Sequence, residues 1–282
     1  MKSTFVSGIF ICLLSVCSSS HPEGASLPSL PLSINEPPEK LLRDHGNLIN
    51  VVKQGPGVNF YTAQWAQQTP GSVTIQPGKF QFTIPYVLGL QGVEETRAPA
   101  EGLVQYEIFA AITGPDLIGH DEARQKFFVL LQGIRKAGWT PFIDRDDPRI
   151  RDRQRLEYVL KSSSASSLDP DYEPTLAEWM QLEDLSRWTF YADHAYLSVA
   201  FKREASLRDP DKPGAYLLTY TLMSENQHFR TYVAPKDRDR WKELLPATLK
   251  ELQAQRQQAE KAWRLKGASI DEGYVDPPAP RL

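Results

Sequence analysis

Apolar and polar positions alternate with a period of two through much of the chain from about residue 47 onward. In "NLINVVKQGPG" a short apolar run ends at Gly-Pro-Gly. In "SVTIQPGKFQFTIPYVLGL" two runs rich in β-branched and aromatic residues flank a Pro-Gly turn, and Phe80, Phe82 and Ile84 are separated from Lys79, Gln81 and Thr83 by strict alternation. Such alternation fits strands with one buried face. "GLVQYEIFAAITG" reads as another strand. The period then changes. Phe127, Leu130, Leu131 and Ile134 fall at helical spacing, with Asp121 placed to cap the start and Gly138 to stop the end. A second helix is predicted over 149–161, and "SSSASSLDPDYEP" follows as an exposed linker. Thr175 and Glu178 make a capping-box pattern for a short helix in "LAEWMQLEDL".

Strands return in "RWTFYADHAYLSVAFKRE", where Leu197, Val199 and Phe201 share one face and Tyr196, Ser198 and Ala200 the other. Asp193 and His194 occupy the place of a tight hairpin turn, and "GAYLLTYTLMSE" continues the strand pattern after a charged loop. A long helix is predicted over 237–266, with Trp241, Leu245, Leu249 and Leu252 on one face. Beyond Leu252 it is nearly all polar, so that half is expected to be solvated or reserved for a partner. The expected fold class is α+β, with antiparallel sheet packed against helices and a long C-terminal helix. Strand, loop, strand and helix succeed one another twice, around 80–138 and 188–265. This fits either two similar halves, with subdomains split near 162–174, or an ordinary α+β succession; the halves show no residue-by-residue similarity.

The N-terminus changes the picture of where the chain resides. A basic start at Lys2 precedes an uncharged, mostly apolar run over 5–16, too short to span a bilayer and suited to a secretory signal. Residues 1–17 are therefore expected to be a signal peptide. Two readings of its end stay open. Leu14–Ser15–Val16–Cys17 resembles a bacterial lipobox, apart from Val16 where a smaller residue is usual, and makes Cys17 the lipidation site. Cleavage at Ser18 or Ser20 would give a secreted form. The Ser- and Pro-rich stretch 18–46 reads as a flexible tether, useful to a lipid-anchored body over 47–282. Ser18 after the cysteine implies a periplasmic protein held at the outer membrane.

Composition narrows the chemistry. Of 282 residues, 41% are hydrophobic, enough for a sizeable core. The net charge of -3 argues against a general nucleic-acid binder. The only cysteines, Cys12 and Cys17, precede the body, which leaves it without thiol chemistry or thiolate metal ligation. The chain contains no G-x-S-x-G elbow, P-loop, H-E-x-x-H or Rossmann glycine fingerprint. His21, His45, His120, His194 and His228 lack metal-ligand spacing and read as surface or capping residues. The Asp-rich loops lack the glycine and distal glutamate of a calcium loop. No metal or cofactor is expected. Glu178, Asp184 and Asp193 are the carboxylates from which a glycosidase pair would have to come. Trp179, Trp188, Phe190, Tyr191, Tyr196, Tyr216 and Tyr220 crowd one segment and are expected to be mainly core.

The stretch "DPDYEPTLAEWMQLEDLSRWTFYADHAYLSVAFKRE", the strand after it and "RDRWKELLP" resemble proteobacterial envelope proteins, some of them type VI secretion immunity periplasmic lipoproteins. The resemblance covers roughly the C-terminal half and carries no catalytic residue. It implies a binding protein whose partner is a secreted effector. A cell-envelope enzyme, or an accessory or structural lipoprotein, is the competing expectation. Proline-stiffened charged loops make Asp144, Asp146, Asp147, Asp209 and Asp211 the expected partner-binding residues.

Overall fold

A computed structural model describes residues 29–280 except 55–56, 76–78, 115, 163–165 and 185. The expected signal peptide, Cys17 and residues 18–28 lie outside the described residues. In chain order the elements are β1 (Ser29–Leu32), α1 (Pro38–His45), β2 (Asn50–Gln54), β3 (Val58–Gln64), β4 (Gly71–Ile75), β5 (Phe82–Glu95), β6 (Leu103–Ala111), β7 (Ile118–Gly119), α2 (His120–Lys136) and β8 (Thr140–Pro141). Then come α3 (Asp152–Lys161), α4 (Leu176–Gln181), β9 (Arg187–Ala192), β10 (Ala195–Arg203), β11 (Pro213–Gly214), β12 (Tyr216–Ser224), α5 (Glu225–Arg230) and α6 (Trp241–Arg264).

Among the described residues, ten strands form one mixed sheet in the order β1-β4-β5-β6-β12-β10-β9-β8, and the β2–β3 pair joins it through β5. Strand β5 is long enough to pair with β4 along its first half and with β3 along its second. All ladders are antiparallel except β1–β4. The α+β class is as expected; the parallel pair is not.

That pair corrects the expected tether. Residues 29–46 are folded. Leu30 and Leu32 are buried in β1, and Leu41 of α1 joins the same core. Serine and proline hide this period-two pair in the sequence. Pro31 lacks an N–H, which an edge strand tolerates, and Pro38 suits the first turn of a helix.

The expected split near 162–174 is also corrected. Strands β6 and β12 come from opposite sides of it and pair over seven rungs, from Gln105–Met223 to Ala111–Leu217. The main core draws on both sides, from Leu30 to Leu222. The supposed linker is packed: Ser167, Leu168 and Asp169 are buried, and the Leu168 N–H donates to the Arg187 carbonyl.

The two repeated patterns are not equivalent halves. Helix α2 buries Phe127, Phe128, Leu131 and Ile134 on the sheet face of Ile108, Tyr220, Val199 and Phe201. Helices α5 and α6 pack on the opposite face, where Tyr196 meets Phe229, Trp241 and Leu245. The pleat separates Tyr196 from Leu197 and so separates the helices. Trp241 and Leu245 are the docking residues expected of the last helix. Its polar half is not simply solvated, however: Arg256, Glu260 and Trp263 are buried against the loop after β8 and helix α3.

Several local signals are realised. The Thr175–Glu178 capping box is complete. Asp193 and His194 both take positive φ, 44° and 62°, as a two-residue hairpin of this hand requires. Gly138, at φ 98°, ends the turn after α2. Asp121 instead sits inside the first turn of α2, where it accepts from Arg124 and Gln125.

Candidate functional site

The loop after β8 carries three of the expected partner-binding aspartates, and the structure turns them inward. Asp147 is 2% exposed. Its carboxylate accepts from Tyr158 Oη at 2.6 Å, Ser166 Oγ at 3.0 Å and Arg155 Nη2 at 2.7 Å. Arg155, itself buried, donates also to the carbonyls of Ser167 and Pro148. Asp144 accepts from Arg187 and from the Ser167 N–H. Asp146 is half-buried, and burial, then the charge of Asp147, raises its carboxyl above the usual range. Asp144 and Asp147 tie the loop to the body. Sequence reasoning placed them outside because Asp and Pro favour exposed turns; the buried arginines that hold them come from elsewhere in the chain.

Asp209 and Asp211 do lie on the surface. Asp209 pairs with Lys212 at 2.8 Å, which holds its carboxyl low, and accepts from the Asp211 N–H. They belong to the loop entering the β7–β11 ribbon, away from the loop after β8. The expected five-aspartate surface is therefore not assembled.

The three carboxylates considered for glycoside hydrolysis are separately engaged. Glu178 closes the capping box and accepts from Tyr172. Asp184 accepts from the Arg203 N–H and from Arg208. Asp193 sits exposed in its hairpin turn.

Of the histidines expected at the surface, His120 is buried and His228 is half-buried. His120 is 1% exposed, with Nδ1 at 2.6 Å from Tyr216 Oη. Tyr216 also accepts from Trp179 Nε1, so its own proton goes to His120 Nδ1. His228 stacks on Tyr196 with centroids 3.5 Å apart and has Nε2 at 2.9 Å from Tyr232 Oη. Burial, then the charges of Arg145 and Arg187, pushes its imidazole from 6.5 down to about 3. The neutral form is thus favoured in the folded chain. The stabilisation is present above pH 6.5 and is lost as pH falls toward 3, by about 2–3 kcal/mol at pH 4.5. Urea unfolding across that range should show this slope in the wild type and not in His228→Phe; parallel curves would exclude His228 as its source.

The surface best built for recognition is one the sequence reading missed. Asn50, Thr62, Gln91, Glu107, Thr221, Ser198 and Thr189 are successive register partners across β2, β3, β5, β6, β12, β10 and β9. Register partners point to one face, so these seven polar residues form an unbroken row. The next row runs Gln64, Gly89, Phe109, Thr219, Ala200 and Arg187. Thr62, Gln91, Glu107, Phe109, Thr219, Thr221 and Ser198 are half-buried, with solvent access on the face away from α2. Phe109, Leu217 and Met223 belong to neither core cluster. Helices α5 and α6 and the loop after β8 cover the Tyr196 end of this face, where Thr189 is buried.

At the other end a cavity of about 360 Å³ opens on Leu88, Ala111, Leu217 and Lys202. Tyr86 forms part of its wall, and Gln67 and Asp116 join two rim loops by a hydrogen bond. Tyr86 has φ 54°, a conformation costly for an aromatic residue and common where a side chain is held for a ligand. The signal for the row was present as alternation in β6 and β12, but register across seven strands was needed to join it. The chain matches no protein-family model, no curated protein and no solved structure.

Proposed function

We propose that this chain is an envelope binding protein that neutralises a secreted antibacterial effector, exported by residues 1–17 and anchored at the outer membrane through Cys17. The export signal and the resemblance of the C-terminal half support this reading. The observation that carries it is the polar row on the part of the sheet face that α5 and α6 leave open. A sheet presents its side chains on a stiff frame, so binding orders few groups. Polar Gln91, Glu107 and Thr221 beside apolar Phe109, Leu217 and Met223 give the mixed composition of a non-obligate interface.

Size adds a constraint. Thr189 is buried, so six strands spaced about 4.8 Å apart give an accessible row about 24 Å long, and the two rows with Leu217 and Met223 make a patch of roughly 500 Å². A stable interface takes about 800 Å² from each partner. The rim carrying Gln67, Pro70 and Asp116 is therefore expected to contribute.

The test is co-purification with the product of an adjacent effector gene, paired with survival of cells lacking this protein. Glu107→Lys reverses a charge in the middle of the row. It is expected to weaken effector binding at least about 100-fold while unfolding changes by less than about 1 kcal/mol, as for a solvent-facing position. Failure of the wild type to bind the effector, or unchanged resistance after gene deletion, would remove the immunity reading.

A further inference from the structure

The chain from residue 265 to residue 280 has no helix or strand, yet it follows a defined path along the loop after β8. Its acidic residues meet arginines at each step. Asp271 accepts from Arg151, and its N–H donates to the Arg149 carbonyl at 2.6 Å. Glu272 accepts from Arg149 at 3.3 Å and from Arg264 at 2.6 Å. Asp276 accepts from Arg256 at 2.7 and 3.1 Å, and the Pro277 carbonyl accepts from Arg145 at 2.6 Å. Between them Tyr274 lies by Arg256, with its hydroxyl accepting from the Ile143 N–H. The tail thus reads as an acidic, aromatic-bearing peptide laid in an arginine groove.

The groove holds its shape by bonds that do not involve the tail. Arg256 donates to the Ile143, Asp144 and Asp147 carbonyls, and Arg149 is held by both oxygens of buried Glu260. A pre-ordered cationic site of this kind binds without first paying to order its donors. The tail's hold is uneven. The Glu272 side chain is 66% exposed, and an ion pair so exposed contributes at most about 1 kcal/mol, whereas the Asp271 and Asp276 pairs are partly buried and hold more firmly. Nor does the tail fill the space: a cavity of about 750 Å³ remains between Tyr274, Val275 and Asp276 and the Lys250, Gln253 and Gln257 side of α6.

We infer that this groove is a binding site for an acidic, extended segment of a partner protein, and that the C-terminal tail is its displaceable internal occupant. The partner segment carries carboxylates flanking an aromatic residue, as in Asp271, Glu272, Tyr274 and Asp276. It enters beside α6 and takes the arginines as the tail leaves. The groove's chemistry does not depend on the effector proposed above, which is assigned to the polar row on the sheet face.

The test uses the full chain and a fluorescent peptide matching residues 268–280. Wild type is compared with a D271N/E272Q/D276N variant, whose tail keeps its length but loses its charge. Anisotropy is expected to show the peptide binding the variant at least about tenfold more tightly than the wild type, because the internal competitor is weakened. Raising salt from about 50 to 300 mM should weaken that binding several-fold, as screening shortens the reach of each charge. Adding Arg151→Gln and Arg264→Gln, both at partly exposed positions, should weaken it further, and a peptide with its carboxylates replaced by amides should not bind. Equal binding to both proteins, or none to either, overturns the inference. Should the variant fail to fold, hydrogen exchange on the wild type decides: amides of 270–277 are expected to exchange about tenfold faster at high salt while those of 142–150 do not change. Joint exchange of tail and loop would make the tail a fixed part of the fold and overturn the proposal.

Discussion

Asp147→Ala is expected to lower the unfolding free energy by about 3–5 kcal/mol, because it strands a buried guanidinium. The Arg155 and Asp147 side chains are 2% and 3% exposed, 2.7 Å apart. Tyr158 and Ser166 donate to the other carboxylate oxygen. With the carboxylate gone, Arg155 keeps the Ser167 and Pro148 carbonyls and, among the described residues, has no counter-charge in its network. The Asp147 backbone carbonyl also anchors Arg256 of α6, so distortion of this loop reaches the last helix. Urea titration reads the effect. A second change, Arg155→Met, made together with Asp147→Ala, is expected to recover a large part of the loss, since removing both charges removes the penalty for the unpaired one. A residue that served only as a partner contact would behave in the opposite way. Its loss would leave the unfolding midpoint in place and reduce only binding.

The second large effect is expected at Trp179, where replacement by Ala should cost about 4–5 kcal/mol. The indole is fully buried in the short helix α4. It packs on Phe201 and Phe127 with centroids at 4.4 and 5.5 Å and lies stacked over Tyr216 at 6.0 Å. Its Nε1–H donates to Tyr216 Oη at 3.0 Å. Alanine would open a cavity among rings from α2, β10 and β12, which cannot all collapse onto it. Trp179→Phe keeps most of the volume and gives up the hydrogen bond, so about 1–2 kcal/mol is expected. Near-UV circular dichroism and urea unfolding separate the two variants. Equal losses would show that packing around the indole is not what holds α4 in place. Arg203 gives α4 a second anchor: buried, it donates to the Trp179, Met180 and Leu182 carbonyls at the end of the helix.

The contrast between these two residues explains what was readable in the chain. Trp179 was visible as part of an aromatic segment expected in the core, because ring burial follows from hydrophobicity alone. Asp147 reads as a surface residue in the sequence because its environment is made by Arg155 and Tyr158 of α3, by Ser166 and by Arg256 of the last helix, which the fold brings around it. The same holds for the N-terminal segment. Leu30 and Leu32 form only two turns of a period-two pattern, too short to stand out among serines and prolines. They become a strand because β4 offers a free edge.

By itself the sequence determined the kind and order of most elements: period-two strands on either side of α2, a capped α4, a tight hairpin at Asp193–His194 and a long helix docked through Trp241 and Leu245. Those features are local. They depend on side-chain spacing, on φ preferences and on caps that lie within a few residues. The tertiary structure alone decided which polar residues go inside and which align outside. The Arg149–Glu260 pair joins residues 111 positions apart, and Glu107 meets Thr221 only through the β6–β12 register. No periodicity encodes such pairings, because they follow from which strands and helices pack together, and that is set by the core they bury in common.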